Sequence, residues 1–323
     1  MKHIGMALAA VFCICAPALS QAADTGSEQL PGLHVIDPKT PEGLQTLLRH
    51  NGESLHLVAA HRGGARQGFP ENCIATFADT LRHTAAIMEV DPRYSKDGVI
   101  VLHHDPTLER TTDGKGRVAD HTWAELKTLR LKDPKGNLTP YAMPTLDEAL
   151  EWARGKTILV LDQKDVPVEA RVRKIEEHQA EAYAMLIVYS FAGAKRCHEM
   201  NECIMMEVMI PSREQLEAFD KTGVPWSNIV AFVGHSPPQD AGLCAAIHAK
   251  GASCMAGTSR NLDRRLLDGQ VTTVDALGDE YHALMDKGVD LIETDIPREV
   301  GRLLYGTRAV PPSRATFFPW FQP

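Results

Sequence analysis

Short apolar runs recur along this 323-residue chain, and most of them are separated by longer segments with helical spacing. Runs of about four to eight apolar residues without polar alternation are typical of strands buried on both faces of a parallel sheet. The pattern therefore predicts such a sheet, covered by helices. The predicted strands are residues 55–60, 86–90, 99–102, 158–161, 184–189, 203–210, 229–233, 253–257 and 289–292.

Helical spacing fills most of the intervals between these strands. About eight strand–helix units within about 250 residues fit a closed (β/α)8 barrel of the α/β class, the TIM barrel. A doubly wound open sheet is the alternative, but no GxGxxG motif follows the first strand. The predicted helices are residues 72–83, 146–154, 168–182, 213–221, 241–250 and 275–287.

The first residues have the pattern of a secretory signal peptide. Lys2 precedes an apolar run at residues 4–19, and small residues follow directly. A lipid anchor on Cys13 or Cys15 is disfavoured because a bulky residue precedes each cysteine. We therefore expect a secreted or periplasmic protein. No later segment approaches about 18 consecutive apolar residues, so we expect no stable membrane insertion.

Two further segments depart from the strand–helix rhythm. Residues 106–144 contain glycine- and proline-rich turns, which we interpret as a small loop insertion. Thr40 followed by Pro41 predicts a helix start ahead of the first strand. The predicted segments are the signal peptide at 1–22, a lead-in with one helix at 23–54, the barrel at 55–305 and a C-terminal extension at 306–323.

Composition narrows the class of protein. The chain is 44% hydrophobic and 24% charged, which is typical of a soluble globular protein and excludes disordered and polytopic membrane classes. With 34 basic and 42 acidic residues, its formal charge is −8. A net-acidic chain is a poor candidate for binding nucleic acid, although acidic residues clustered at one place serve a metal cation.

The cysteines that follow the signal segment are odd in number. An exported protein meets an oxidising compartment, in which disulfides form. Because the number of these cysteines is odd, at least one thiol stays unpaired within the chain. The most local pairings are Cys197 with Cys203 and Cys244 with Cys254, and the sequence leaves the connectivity open. Cys73 lies in a predicted helix and is expected to be a buried free thiol.

Chemically versatile side chains directly follow several apolar runs, where a barrel places catalytic residues. Glu89 and Asp91 are two residues apart, so a strand points both to one side. Two adjacent acids repel unless they share a proton or a cation, and a hard divalent cation is the economical explanation. The other groups are His61 with Arg62, His103-His104-Asp105, and Asp162 with Lys164.

This inventory suits cleavage of an anionic ester. A cation and basic side chains hold negative charge, and imidazoles transfer protons near neutral pH. Five segments stand out as motifs, of which the first two are long and ordered, and three of the five contain the residues of this inventory. They are HRGGARQGFPENCIATF at 61–77, MEVDPRYSKDGVIVLHHDPTLERTTDGKG at 88–116, MPTLDEAL at 143–150, LDQK at 161–164 and ETDIP at 293–297.

With these motifs, residues 57–304 resemble the glycerophosphodiester phosphodiesterase family, part of the class of barrel phosphodiesterases that includes phosphatidylinositol phospholipase C. The resemblance implies that Glu89 and Asp91 ligate one divalent cation, Ca²⁺ or Mg²⁺. Asp162 stands where the family usually has a glutamate as the third ligand. Because aspartate is one methylene shorter, this departure affects metal affinity and preference.

The resemblance also implies roles for residues around the metal. His61 and His104 fill the acid–base pair, and His104 is preferred over His103 because the family has a His-Asp pair there. Arg62 and Lys164 fill the positions that contact the substrate phosphate. Supporting positions around the metal site are filled by Glu71 and Asn72.

The signal-peptide pattern and the resemblance together imply an exported enzyme. It would use a metal ion to hydrolyse small glycerophosphodiesters to glycerol 3-phosphate and an alcohol. One alternative is a lysophospholipase D-like enzyme acting on membrane lipid, with the aromatic residues at 317–321 touching a bilayer. Another is a non-catalytic protein that binds phosphate esters. The sequence leaves open the alcohol, the nucleophile, which histidine is acid and which is base, and the oligomeric state.

Overall fold

The computed structural model describes residues 32–307 and 310–320. The predicted signal peptide at 1–22 therefore lies outside the described residues, as does Phe321 at the end of the aromatic tail. The strands are β1 (Leu57–Ala60), β2 (Ile87–Val90), β3 (Pro92–Tyr94), β4 (Ile100–Leu102), β5 (Leu159–Leu161), β6 (Ala184–Val188), β7 (Met205–Met209), β8 (Ile229–Gly234), β9 (Ser253–Gly257) and β10 (Leu291–Thr294).

Within the described residues, eight of these strands close into a barrel in the order β1-β10-β9-β8-β7-β6-β5-β2, and every neighbouring pair is parallel. The prediction of a (β/α)8 barrel is confirmed. Most of the helices follow barrel strands and cover the sheet from outside, whereas the first precedes β1 and the third lies in the segment after β4. They are α1 (Pro41–Leu48), α2 (Ile74–His83), α3 (Trp123–Leu126), α4 (Leu146–Ala153), α5 (Val168–Glu177), α6 (Phe191–Met200), α7 (Arg213–Asp220), α8 (Leu243–His248), α9 (Leu262–Leu267), α10 (Gly278–Asp286) and α11 (Pro297–Thr307).

One predicted strand does not belong to the parallel sheet. The run at 99–102 forms β4, which pairs antiparallel with β3 outside the barrel. The connection between them is residues 95–99, which turns at Gly98 with φ of 82°. A parallel connection needs a crossover of about a dozen residues or more, so this short link permits only a hairpin. The chain therefore leaves the barrel at β3, before the start of the predicted insertion at residues 106–144.

The hairpin and the following segment have a small apolar core of their own. Cys73 contributes to it from the residue before α2, where its side chain is 3% exposed and its thiol is free. The expectation of a buried free thiol is confirmed, although α2 begins one residue later. The other buried members of this core are Val101, Leu108, Val118, Leu126, Leu131 and Met143.

The C-terminal segment and α1 close the amino-terminal end of the barrel. Arg314 is 1% exposed and donates hydrogen bonds to the backbone oxygens of Leu47 at 2.9 Å and Arg49 at 2.5 Å. Phe317 and Phe318 join the apolar cluster inside the barrel and are 8% and 1% exposed. These two aromatic side chains are packed against the protein, so they leave little surface for contact with a bilayer.

Two further sequence expectations concern membranes and disulfides. Among the residues that the structure describes, no helix is both long enough and apolar enough to cross a membrane. All five cysteines in the described ranges are free thiols. Neither of the local pairings, Cys197 with Cys203 or Cys244 with Cys254, is formed in this structure.

Candidate active site

A tight turn after β1 positions the first two site residues. Arg62, Gly63 and Gly64 all have left-handed backbone conformations, with φ of 52°, 82° and 83°. A Cβ on Gly63 would lie 2.3 Å from the Phe77 ring, and one on Gly64 would lie 2.3 Å from Pro297. The turn therefore requires both glycines, because helices α2 and α11 pack directly against it. This packing holds Arg62 and the preceding histidine at the carboxyl end of β1.

Three carboxylates converge at the ends of two neighbouring strands. Glu89 lies in β2, Asp91 follows it directly, and Asp162 follows the paired strand β5. One carboxylate oxygen from each residue lies within 4.8 Å of the other two, and all three residues are buried. Burial and the charges of Asp91 and Asp162 raise the pKa of Glu89 well above its ordinary value. A buried, all-oxygen donor set of this kind fits one divalent cation.

Lys164 lies among these carboxylates. Its ammonium Nζ is 2.8 Å from Oδ1 of Asp91 and also contacts Oδ2 of Asp162. The other oxygen of Asp162 accepts a 2.6 Å hydrogen bond from the Tyr189 hydroxyl. Burial acts to raise the pKa of Asp162, but Lys164 outweighs it and lowers that pKa. In this structure Lys164 forms ion pairs with Asp91 and Asp162, whereas the family resemblance implies that it contacts the substrate phosphate.

Glu71 and Asn72 support the site from the loop before α2. The side-chain amide of Asn72 donates a 2.6 Å hydrogen bond to Asp91, and its oxygen accepts one from the Asp91 backbone N–H at 2.9 Å. Glu71 accepts hydrogen bonds from the guanidinium groups of Arg62 at 3.3 Å and Arg110 at 2.8 Å. These contacts restrict the orientation of Asp91 and Arg62.

His61 and His104 line one cavity of about 330 Å³ together with Arg62, Asp162 and Lys164. Each imidazole is held by a carboxylate through Nδ1, which leaves Nε2 for the cavity.

The carboxylate partners lie in different segments. His61 Nδ1 lies 2.6 Å from Asp295, and His104 Nδ1 lies 2.7 Å from Asp105. His103 is instead buried, and its Nε2 is 3.0 Å from the backbone oxygen of Thr107. The structure thus places His104, rather than His103, at the cavity.

The pKa values of the two cavity histidines are displaced in opposite directions. Burial acts to lower the pKa of His61, but its hydrogen bond to Asp295 and the charge of Glu293 outweigh burial and raise that pKa. Burial lowers the pKa of His104, and nearby cationic side chains add to the effect. Between the two pKa values His61 is protonated and His104 is neutral, which is the arrangement of a general acid and a general base.

Comparison with known proteins agrees with this geometry. The family model described as the glycerophosphoryl diester phosphodiesterase family matches residues 61–299. The chain belongs to this family. A crystal structure of a glycerophosphoryl diester phosphodiesterase from Parabacteroides distasonis ATCC 8503 is 40% identical with a TM-score of 0.83, covering 88% of this chain and 99% of that one.

Other phosphodiesterases match over shorter stretches. Glycerophosphodiester phosphodiesterase 1 of Bos taurus is 34% identical over 141 residues, which is 41% of this chain and 41% of that protein. The chain thus spans about two fifths of the length of this curated relative. A phosphodiesterase of Oleispira antarctica, solved in complex with the product sn-glycerol-3-phosphate, has the same fold, with a TM-score of 0.55 and 23% identity over 77% of this chain and 96% of that one.

Sequence reasoning missed the carboxylate that orients His61. Asp295 follows β10, and its backbone N–H donates a 2.7 Å hydrogen bond to the buried carboxylate of Asp263. The ETDIP segment is one of the motifs that carry the resemblance to the phosphodiesterase family, but the resemblance by itself implies no role for its residues. The signal was an acid directly after a predicted strand end, two residues beyond Glu293, as Asp91 is two residues beyond Glu89.

Two carboxylates inside the barrel were also missed. Glu207 is paired in register with Ile187 and Val230, and Glu293 is paired with Ala59. These positions belong to the interior, where a TIM barrel ordinarily has branched apolar residues. Both glutamates line the cavity, at 2% and 6% exposure, and neither side chain has a hydrogen-bond or ion-pair partner within the described residues. For Glu207 the signal was a single acid inside an apolar run, and for Glu293 it was an acid at the end of one.

Proposed function

We propose that this chain is an exported, metal-dependent phosphodiesterase that hydrolyses glycerophosphodiesters to glycerol 3-phosphate and an alcohol. The observation that carries the proposal is one cavity that joins three clustered carboxylates to two imidazoles with opposite pKa displacements. Family membership supports the reaction class, and the product seen in the Oleispira antarctica relative supports the substrate class. The signal-peptide pattern at residues 1–22 supports export.

Glu89, Asp91 and Asp162 would hold Ca²⁺ or Mg²⁺, since all their donor atoms are carboxylate oxygens. Such a cation, when bound, supplies positive charge that stabilises the phosphodiester and the charge growing on it during attack. A cation held by these carboxylates would repel the ammonium of Lys164, which in this structure contacts Asp91 and Asp162. Lys164 and Arg62 then bind phosphate oxygens.

Proton transfer is divided between the two histidines. His104 is neutral, so its Nε2 accepts the proton of the attacking hydroxyl, which is either water or the neighbouring glycerol hydroxyl. Attack by the glycerol hydroxyl forms a cyclic phosphate first, and a water molecule then opens it to glycerol 3-phosphate. The oxygen forms a bond to phosphorus, and the bond from phosphorus to the alcohol oxygen breaks. His61 is protonated and gives its proton to the departing oxygen, so the alcohol leaves neutral. Asp295 and Asp105 keep the two imidazoles in these orientations.

We expect kcat/KM to have a bell-shaped dependence on pH. Its acidic limb follows deprotonation of His104 and lies below the ordinary histidine pKa, whereas its alkaline limb follows deprotonation of His61 and lies above it. Replacement of Asp295 by asparagine removes the negative charge that helps to raise the pKa of His61 and leaves a weaker, neutral acceptor, so the alkaline limb moves to lower pH. Profiles of glycerol 3-phosphate release from pH 5 to pH 10 measure both limbs. Unchanged limbs in the Asp295→Asn variant would contradict the assignment of His61 as the acid.

Glu207 is assigned to recognition of glycerol hydroxyls. Burial and the nearby charges of Glu293 and Asp162 raise its pKa well above the ordinary value, which favours the protonated form, and a protonated carboxyl can donate a hydrogen bond. We expect Glu207→Leu to lower kcat/KM for glycerophosphocholine by about 10-fold, the value of one hydrogen bond of about 1.5 kcal/mol.

The matched variant is Glu207→Gln, which keeps the shape and a donor and is expected to retain most of this activity. The ratio of kcat/KM for glycerophosphocholine to that for bis(p-nitrophenyl) phosphate, which has no glycerol, should fall in the leucine variant. An unchanged ratio would remove Glu207 from substrate recognition.

The decisive experiment measures glycerol 3-phosphate release from a panel of headgroup diesters, with and without a chelator. Glycerophosphocholine and glycerophosphoethanolamine should be hydrolysed, and chelation should stop the reaction. Preferential cleavage of lysophosphatidylcholine would indicate a lysophospholipase D instead, and binding without turnover would indicate a non-catalytic protein. Mass analysis of the protein exported by its host tests removal of residues 1–22.

A further inference from the structure

Two histidines and an aspartate form a second cluster at the other end of the barrel. His50 follows α1, His248 is the last residue of α8, and Asp290 directly precedes β10. The amino-terminal ends of the strands lie here, whereas the cavity with His61 and His104 lies at the carboxyl ends. The cluster is therefore separate from the active site by the full length of the barrel.

The side chains of the cluster face one another closely. The two imidazole rings are stacked, with centroids 3.6 Å apart and an interplanar angle of 3°. Nε2 of His248 lies 2.7 Å from Oδ2 of Asp290, and Nδ1 of His50 lies 3.8 Å from Oδ1 of Asp290. One ligand atom from each residue lies within 4.8 Å of the other two.

One side of the cluster is left without a hydrogen bond. Nδ1 of His50 is buried and has no hydrogen-bond partner within the described residues. The facing oxygen of Asp290 is too far for a hydrogen bond, at 3.8 Å, although the carboxylate itself is only 2% exposed. A buried imidazole nitrogen and a buried carboxylate oxygen that face one another without a bond are suited to a shared cation.

The backbone around the cluster holds these side chains in place. The Cys254 N–H donates a 2.8 Å hydrogen bond to Oδ2 of Asp290, which is the kind of outer contact that orients a metal-binding carboxylate. The His50 N–H donates a 3.0 Å hydrogen bond to the Gly251 oxygen. A Cβ on Gly288 would lie 3.2 Å from the His248 ring, so a side chain there would crowd the ring.

We infer that His50, His248 and Asp290 form a second metal site, which binds a first-row transition ion such as Zn²⁺ and ties α1 to the amino-terminal end of the barrel. Two imidazoles and one carboxylate favour Zn²⁺, whereas the all-carboxylate group at the active site favours Ca²⁺ or Mg²⁺. Each imidazole side chain is 16% exposed, so water completes the coordination.

Binding requires only local movement. Zn²⁺ bonds of about 2.0–2.2 Å place two ligand atoms up to about 4 Å apart, close to the separations seen here. On binding, the two imidazole rings would tilt away from their parallel arrangement, because nitrogen atoms of two parallel stacked rings cannot both point at one ion. Since this end of a TIM barrel serves stability rather than catalysis, the site is structural.

The test uses the full chain, stripped of metal and then titrated with Zn²⁺ or Co²⁺ in excess Ca²⁺, which fills the carboxylate group at the active site. Wild type should take up one tightly held Zn²⁺, and Co²⁺ should give a visible absorption band typical of nitrogen and oxygen ligands. The melting temperature should rise by about 4 °C at free Zn²⁺ about 100 times the dissociation constant.

Variants separate this cluster from the other metal-binding groups. His50→Asn and His248→Asn should lose the Zn²⁺, the Co²⁺ band and the rise in melting temperature. The matched control His83→Asn, which removes an exposed histidine of α2, and Asp162→Asn, which impairs the active-site group, should keep all three.

Equal Zn²⁺ uptake by wild type, His50→Asn and His248→Asn would overturn the inference, as would loss of uptake in Asp162→Asn alone. Circular dichroism of the metal-free variants checks their folding. If neither histidine variant folds, the Co²⁺ spectrum of wild type in excess Ca²⁺ decides, because its absence contradicts the site. None of these readouts depends on phosphodiesterase activity, so failure of the proposed function leaves the test intact.

Discussion

Replacement of His104 by glutamine lowers the turnover of glycerophosphocholine by about 100- to 10,000-fold, the contribution of a positioned general base. Glutamine keeps the approximate size of the side chain but has no nitrogen that accepts a proton near neutral pH. Its carbonyl and amide also still form hydrogen bonds with neighbours such as Asp105, so the fold should be retained. Steady-state release of glycerol 3-phosphate measures the effect, and circular dichroism checks the fold.

His103 provides the matched control, because it is the adjacent histidine in the same chain. Its Nε2 is hydrogen-bonded to the Thr107 oxygen and the side chain is 2% exposed, away from the cavity. His103→Gln should lower the melting temperature while retaining most of the turnover. A large loss of turnover in the His103 variant with little change in the His104 variant would reverse the assignment of the base.

Removal of the divalent cation is expected to abolish activity. Chelation should reduce glycerol 3-phosphate release to background, and added Ca²⁺ or Mg²⁺ should restore it. Glu89→Gln removes one of the three clustered charges and should lower kcat by at least about 100-fold, the usual effect of losing one stabilising group for transition-state charge. Isothermal titration with Ca²⁺ and with Mg²⁺ measures the accompanying loss of affinity.

Two variants make this prediction specific. Glu214→Gln removes an exposed acid of α7 and gives the same change in net charge, so it should behave as wild type. Asp162→Glu restores the ligand usual in the family and should retain activity with an altered ratio of Ca²⁺ to Mg²⁺ affinity. Full activity of wild type in chelator would contradict the prediction. It would show that the three carboxylates hold no catalytic cation and only pair with Lys164.

Local patterns in the sequence predicted most of the barrel and most of the candidate site. Apolar runs identified all eight barrel strands, because a strand covered on both faces needs apolar residues at nearly every position. Thr40 caps α1 as its sequence indicates, with its hydroxyl oxygen accepting the Gly43 N–H at 3.0 Å. The positions of Glu89, Asp91 and Asp162 at strand ends predicted their convergence, because parallel strands bring their carboxyl ends to one face of the barrel.

The hairpin of β3 and β4 was missed because an apolar run of four residues has the same pattern in a barrel strand and in an outer strand. Only the length of the connection distinguishes the two, and that length depends on where β3 begins.

What the sequence determined by itself was the barrel, the order of its strands along the chain and the set of residues delivered to its carboxyl end. These features follow from short-range periodicity, which can be read within each segment of the chain separately. Only the tertiary structure decided that Lys164 pairs with Asp91 and Asp162, that Asp295 orients His61, and that His50, His248 and Asp290 meet at the opposite end. Each of these depends on side-chain direction and on distances between segments far apart in the chain. Such distances are determined when the barrel closes, and no local pattern encodes them.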